Sequence, residues 1–211
     1  MGHRVDRLLR GPRRVRRRAE QLFQVEATGP SDQWQRVILN QEIQRFIASL
    51  APQSLTAAEI SGSTHVGTPW KSHTSLNYPE FDLCAPVPEA MKFDVVICEQ
   101  VLEHVADPFA AASNLRALTR SGGHVIVSTP FLIKVHELPL YGMPDYWRFT
   151  PRGLRRLLEH GGLELLEVGA WGNRDCVRGN LDRWPAYRRW HSLHNEPDLA
   201  VQVWAFARKP A

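Results

Sequence analysis

The chain has 211 residues, 43% of them hydrophobic, and a formal net charge of +4. That length and apolar content suit one folded domain with additions, and they exclude a disordered chain. No stretch approaches the run of about eighteen apolar residues that a membrane-spanning helix needs.

The charge is uneven. The first twenty residues carry eight arginines against Asp6 and Glu20, a net +6, which leaves −2 for the rest. The basic character belongs to a tail, which reads first as a solvated helix and second as a contact for an anionic surface. The three cysteines, Cys84, Cys98 and Cys176, are far apart and form no C-x-x-C. Neither a disulfide framework nor a zinc knuckle is expected, and a reducing cytoplasm fits.

Residues 4–26 read as a basic helix with a loose apolar side, interrupted at Gly11-Pro12. Gly29-Pro30 breaks the chain. Ser31 is the expected N-cap of a second helix, whose apolar stripe runs from Trp34 to Leu50. LTAAEISGS, from Leu55, predicts a strand and a small-residue turn. FDVVIC (93–98) and HVIVSTP (124–130) are apolar runs expected of strands buried on both faces. Between them, Asp107-Pro108 caps a helix that Gly122-Gly123 should stop. Thr150-Pro151 starts another helix, ending at Gly161-Gly162. LELLEVGAW and LAVQVWAFARK are the last predicted strands, with a helix expected in the insertion between them, near 175–195. Alternating strands and helices imply an open parallel sheet covered on both faces. Ligands of such sheets bind beyond the carboxyl ends of the strands. Three segments end there: Glu59–Ser63, Cys98–His104, and Thr129 onward.

The order AEISG, FDLC, FDVVICEQVLEHVADP, LTRSGGHVIVSTP and GLRRLLEHGGLELLEV resembles the class I S-adenosylmethionine-dependent methyltransferases over about residues 55–209. The stretch STPFLIKVHELPLYGMPDYWRFTPRGL is similar to bacterial small-molecule and sugar O-methyltransferases, and the arginine- and alanine-rich style to actinobacterial members. The resemblance implies an α/β fold: a three-layer Rossmann-like sheet, mostly parallel with an antiparallel last strand, and added N-terminal helices. It divides the chain into a basic segment, 1–30, and a methyltransferase domain, 31–211.

By position, Glu59, Ser61 and Gly62 match the motif that lines the methionine moiety, with Ser61 where the family usually has glycine. Asp82 and Leu83 match the motif whose acid binds the adenine amino group. Cys98, Glu99 and Gln100 match the strand end that meets the amino-acid part and the methyl group. The region between Ser63 and Phe81 is short for the family, and no acid stands at the expected ribose position. Asp82, Trp70, Asn77 and Tyr78 are the candidates for that role.

If a helix begins near Gln100, then Gln100, Glu103 and His104 share one face. The spacing resembles the E-x-x-E-H metal site of small-RNA 2′-O-methyltransferases and ubiquinone-pathway O-methyltransferases, with glutamine in the first place. There His136 would complete a site at Glu103, His104 and His136 for Mg or Mn. The alternative is the common L-E-H signature of the superfamily with no ion. In the loop 136–150, His136 is the candidate base and Asp145 its orienting partner. Glu99 is a second proton acceptor. Tyr146, Trp147 and Arg148 suit a sugar wall, and Trp171 and Arg174 could reach substrate oxygens.

These residues predict a cytoplasmic enzyme that moves the methyl of S-adenosylmethionine to a hydroxyl of a sugar or glycosylated metabolite. A homodimer is compatible with the sequence. The alternatives are a nucleic-acid (RNA ribose) methyltransferase, disfavoured by the acidic body of the chain and by C-E-Q-V at the strand end, and a non-catalytic binding protein of the same fold. A nicotinamide dehydrogenase is disfavoured because no G-x-G-x-x-G follows the first strand.

Overall fold

The computed structural model describes residues 26–137 and 142–211. The expected basic helix therefore lies, save for Glu26, outside the described residues. Six strands form one sheet: β1 (Thr56–Ile60), β2 (Ser72–Leu76), β3 (Phe93–Glu99), β4 (Thr119–Pro130), β5 (Glu164–Trp171) and β6 (Gln202–Arg208). Their order is β2-β1-β3-β4-β6-β5. The first four pair in parallel, and β6 runs antiparallel to both of its neighbours. This is the expected Rossmann-like sheet with an antiparallel last strand.

Helix α1 (Val37–Ser49) covers one face through Leu39, Ile43, Phe46 and Ile47, with Phe46 stacked on Phe206 at 4.2 Å. Helices α2 (Pro108–Leu118) and α3 (Pro151–His160) cover the other. The spacing of Leu154, Leu157 and Leu158 puts all three on the buried side of α3. The caps are local and as expected. Asp107 accepts from the Phe109 and Ala110 amides, and Thr150 from that of Gly153.

Several elements differ from expectation. The second helix starts at Val37, not after Ser31, because Gln33 is extended and bridges Ala186, while the Trp34 amide donates to Pro185 O at 2.8 Å. Helix α2 stops at Leu118 and β4 begins at once. Gly122 and Gly123 lie inside β4, where the pairing with β3 skips residues. A side chain at Gly123 would meet the Asp94 carbonyl at 2.7 Å, so the close approach requires glycine. In place of the helix expected near 175–195 stands a single short one, α4 (Arg174–Gly179). Beyond it, residues 184–187 pair with 26–34 instead of coiling. Strand β2, a polar edge strand, has no counterpart among the expected elements. The residues joining β1 to β2 contain no helix, although parallel crossovers usually do.

Candidate active site

The carboxyl end of β1 delivers Glu59. Its side chain is on the α1 face, enclosed, and accepts from the Thr64 amide at 2.7 Å and the His65 amide at 3.0 Å. His73 Nε2 lies 3.1 Å from it. The carboxylate thus shapes the turn that follows. A side chain at Gly62 would meet Glu59 Oε1 at 2.8 Å and push that carboxylate from its place. Ser61 has φ +49°, a left-handed conformation that glycine adopts without strain. Ser61→Gly is therefore expected to raise stability by up to about 1 kcal/mol, the relief of strain less the added freedom of the unfolded chain. Chemical denaturation measures it.

The end of β3 splits its three candidates by strand parity. Cys98 is buried in the core on the α2–α3 face, among the apolar side chains. The expected contact of Cys98 with a cofactor is therefore not supported by its side chain. Glu99 points to the opposite face, where it pairs with Arg36 and lies 2.9 Å from His65 Nε2. Gln100 turns at φ +57°. Its side-chain Nε2 donates to Ser128 Oγ at 3.1 Å and Gln202 Oε1 at 2.8 Å.

No helix starts at Gln100. Residues 101–104 form a turn closed by the His104 amide on Val101 O at 2.9 Å, and the helix begins only at Pro108. The turn still places Glu103 and His104 together. Glu103 is fully buried, and neither carboxylate oxygen has a hydrogen-bond partner. Burial pushes its pKa up to about 8, opposed by its own backbone N–H and by Arg148 and Arg36 and reinforced by the charge of Asp145.

His104 Nδ1 lies 2.8 Å from Pro144 O, so the ring donates there and leaves Nε2 as acceptor, 3.8 Å from Glu103 Oε1. The His136 ring stands edge-on to it at 5.1 Å. One ligand-type atom from each of Glu103, His104 and His136 falls within 4.8 Å of the others. Burial lowers the His136 pKa despite the opposing pull of Asp145, so the ring is neutral near pH 7.

Asp145 supports this arrangement. Its carboxylate is fully enclosed, accepts the His136 amide at 2.8 Å and lies 3.2 Å from His136 Nδ1. Arg148 clamps both of its oxygens and also donates to the carbonyls of Trp147 and Lys134. Arg148, expected in a substrate wall, is therefore committed to Asp145. Tyr146 and Trp147 are half exposed on the same loop, which is tied to Glu103 O by the Tyr146 amide at 2.7 Å.

A cavity of about 470 Å³ opens at these strand ends. Ser61, Asn77, Asp82 and Leu83 line it from the β1–β2 side, and Gln100, His104 and Tyr146 from the β3 side. Asn77, one of the four ribose candidates, is the first residue past β2. A larger hollow of about 880 Å³ lies between α1 and the turn after β1, with Arg36, Thr64 and His65 among its lining residues. Arg36 carries no signal in the sequence. It is a buried cation whose pKa falls to about 10 through burial, and its partner Glu99 is remote in sequence. Trp171 and Arg174 do not join these residues. Trp171 is buried in the α1-side core with its indole N–H on Leu193 O, and Arg174 opens α4.

A family profile described as "Methyltransferase domain" matches residues 5–168. A ubiquinone biosynthesis O-methyltransferase of Coxiella burnetii is 33% identical over 142 residues, which is 61% of this chain and 53% of that protein. The chain thus spans about half the length of the curated relatives it matches. The fold is similar to that of the Burkholderia thailandensis 1,6-didemethyltoxoflavin-N1-methyltransferase with bound S-adenosylhomocysteine, at TM-score 0.55 and 12% identity over 86% of this chain and 80% of that one. It is also similar to the [4+2]-cyclase SpnF, at TM-score 0.53 and 13% identity over 90% and 88% of the two chains. The sheet order, the turn after β1, the cavity at the strand ends and the family match converge, and the chain belongs to the class I S-adenosylmethionine-dependent methyltransferase family.

Proposed function

We propose that the protein transfers the methyl group of S-adenosylmethionine to a hydroxyl oxygen of a small molecule that carries a second oxygen beside it, as a sugar does. The observation that carries this reading is Glu103: a buried carboxyl group with two unpartnered oxygens, grouped with His136 and with His104, which lines the cavity. Such a group is costly unless a cation meets it.

The cofactor's adenine would sit with its amino group toward Asp82 and its ring against Leu83 and Val101. Asn77, at the end of β2, is placed for the ribose hydroxyls. The methionine end would run over the Ser61–Gly62 turn toward Arg36, whose guanidinium suits a carboxylate. The Tyr146 ring, which lines the cavity, offers a flat apolar face to a sugar ring, with Trp147 next to it on the same loop.

Glu103, His104 and His136 are the residues that would hold a divalent cation, which would lower the pKa of the acceptor hydroxyl. His136 Nε2 can serve either as ligand or as proton acceptor, not as both. Asp145 and Glu99 are poor replacements as bases. Asp145 is held ionised by Arg148 and the His136 amide against the effect of burial, and Glu99 is paired with Arg36 on the other face. The transfer itself is a direct displacement that needs in-line geometry.

The test joins calorimetry with S-adenosylhomocysteine to turnover of S-adenosylmethionine on a panel of sugars and catechols, with and without chelator. The reading expects cofactor-product binding and chelator-sensitive product on an acceptor with neighbouring oxygens. Absence of cofactor-product binding overturns the enzyme reading. Chelator-insensitive turnover overturns the cation and leaves His136 as base. Product on catechols alone overturns the sugar.

A further inference from the structure

We propose that His65 is a positioning residue for the cofactor: its ring holds one oxygen of Glu99 and so keeps the Arg36 guanidinium open to the carboxylate of the cofactor's amino-acid end. This rests on the reading that this end of S-adenosylmethionine runs toward Arg36.

His65 belongs to the turn that joins β1 to β2, where a parallel crossover usually has a helix and this chain has none. A helix fixes its own backbone by internal hydrogen bonds. This turn is fixed instead through His65. Its amide donates to Glu59 Oε2 at 3.0 Å. Its carbonyl accepts the Thr68 amide at 3.1 Å and the Trp70 indole N–H at 3.0 Å. With both backbone groups tied, the ring reaches the end of β3, where Nε2 lies 2.9 Å from Glu99 Oε2.

The contact is a donated hydrogen bond and not a second ion pair. Burial lowers the His65 pKa, with Arg36 and His73 acting in the same direction and Glu59 opposing them. The ring is therefore neutral near pH 7. A carboxylate can only accept, so Nε2 carries the proton.

Glu99 thus divides its oxygens: Oε2 faces His65, and Oε1 faces Arg36 Nη2. Arginine and a carboxylate otherwise favour two parallel bonds. A Glu99 free to turn would take that arrangement and close the guanidinium. Held by His65, it engages one Nη. Arg36 Nε stays enclosed, with no hydrogen-bond partner among the described residues. Arg36 and His65 both line the hollow between α1 and this turn. A buried cation with an unpartnered donor there suits an arriving carboxylate.

The experiment measures, by calorimetry on the full chain, binding of S-adenosylhomocysteine and of 5′-methylthioadenosine, a nucleoside thioether that lacks the amino-acid end. Wild type is expected to prefer S-adenosylhomocysteine by about 10-fold or more, the scale of a hydrogen bond to a charged group. The amide of His65→Asn is too short to reach the Nε2 position. This variant is expected to lose about 10-fold in S-adenosylhomocysteine affinity and to bind methylthioadenosine as wild type does. The amide of His65→Gln reaches that position and should keep both affinities within about threefold of wild type. Glu99→Gln presents a single oxygen and cannot grip Arg36 twice, so adding His65→Asn to it should cost little more.

Equal losses for both ligands in His65→Asn overturn the proposal, because a residue that only supports the fold would act on both. So does an unchanged affinity for both, a His65→Gln variant as weak as His65→Asn, or a His65→Asn loss that persists undiminished in Glu99→Gln. A wild type that binds the two ligands within about threefold of each other places the amino-acid end away from Arg36, and then that placement falls with the proposal. Methylthioadenosine binding reports on the folding of each variant.

Discussion

Glu103→Gln is expected to cut turnover by about 100-fold or more and, in the absence of divalent ions, to raise the melting temperature at alkaline pH. Both effects have one cause. The carboxyl is fully buried with no partner on either oxygen, and its pKa is raised to about 8. The folded protein therefore keeps a proton between roughly pH 4.5 and 8 that the unfolded chain has lost. Stability linked to this group is fully present below the unfolded pKa and falls as pH rises toward and through 8. A tenfold difference in proton affinity between folded and unfolded chain is worth about 1.4 kcal/mol, so the penalty at pH 8–9 is on the order of a few kcal/mol. Glutamine is neutral at every pH and escapes it.

Thermal melts of wild type and Glu103→Gln from about pH 5 to about pH 9 check this. The curves should meet at the acid end and separate by several degrees at the alkaline end, a degree scale set by roughly 2–4 °C per kcal/mol for a chain of this size. Manganese should stabilise the wild type alone. Curves that stay together throughout would mean that Arg36 and Arg148 already compensate the charge, and the site would need no ion.

The parts of this site that are legible in the sequence are those set by neighbours in the chain. FDVVIC reads as a buried strand because both faces are apolar, and Asp107-Pro108 and Thr150-Pro151 read as caps because the cap bonds reach only a few residues. Spacing alone brings Glu103 and His104 together, although a tight turn, not a helix, is what joins them. Their partner His136 is reachable because the end of a parallel strand is where ligands bind.

What is not legible depends on distant pairing or on backbone signs without a residue signature. Nothing in C-E-Q-V says that Gln100 is left-handed, since glutamine has no preference for that region. Glu99 is free to take a proton on sequence grounds, but strand parity puts it on the α1 face beside Arg36. Strand β2 is S-H-T-S-L, too polar to announce itself, and it forms because an edge strand needs only one apolar anchor, here Leu76. Trp171 reads as a pocket residue because it ends a strand, yet its side chain faces the other layer. The glycine pair at 122–123 reads as a helix stop because such pairs usually are. Here it serves a close approach to Asp94 inside β4.

The second large effect concerns Asp145 and Arg148. Asp145→Ala is expected to destabilise the protein by about 3 kcal/mol, because it removes the anion from an enclosed pair and leaves the Arg148 guanidinium without its counter-charge. Arg148→Ala should cost a similar amount from the other side, by leaving an enclosed carboxylate with only the His136 amide and ring. The double variant should cost less than the sum, with a coupling of about 1–3 kcal/mol, since neither partner is then stranded. Urea denaturation of the four proteins measures the cycle, and a sum that adds without coupling would show that the pair is not a unit. A merely structural pair would leave the chemistry of His136 alone. This one faces His136 Nδ1, and its carboxylate holds that ring's pKa up against burial. Asp145→Asn keeps the shape and the amide contact while removing the charge. Its imidazole should therefore titrate at lower pH, visible in the ring proton resonances, and its manganese affinity should fall while S-adenosylhomocysteine binding stays at the wild-type level. An unchanged imidazole titration would place His136 outside the reach of Asp145 and would remove the support that this carboxylate gives to the ring.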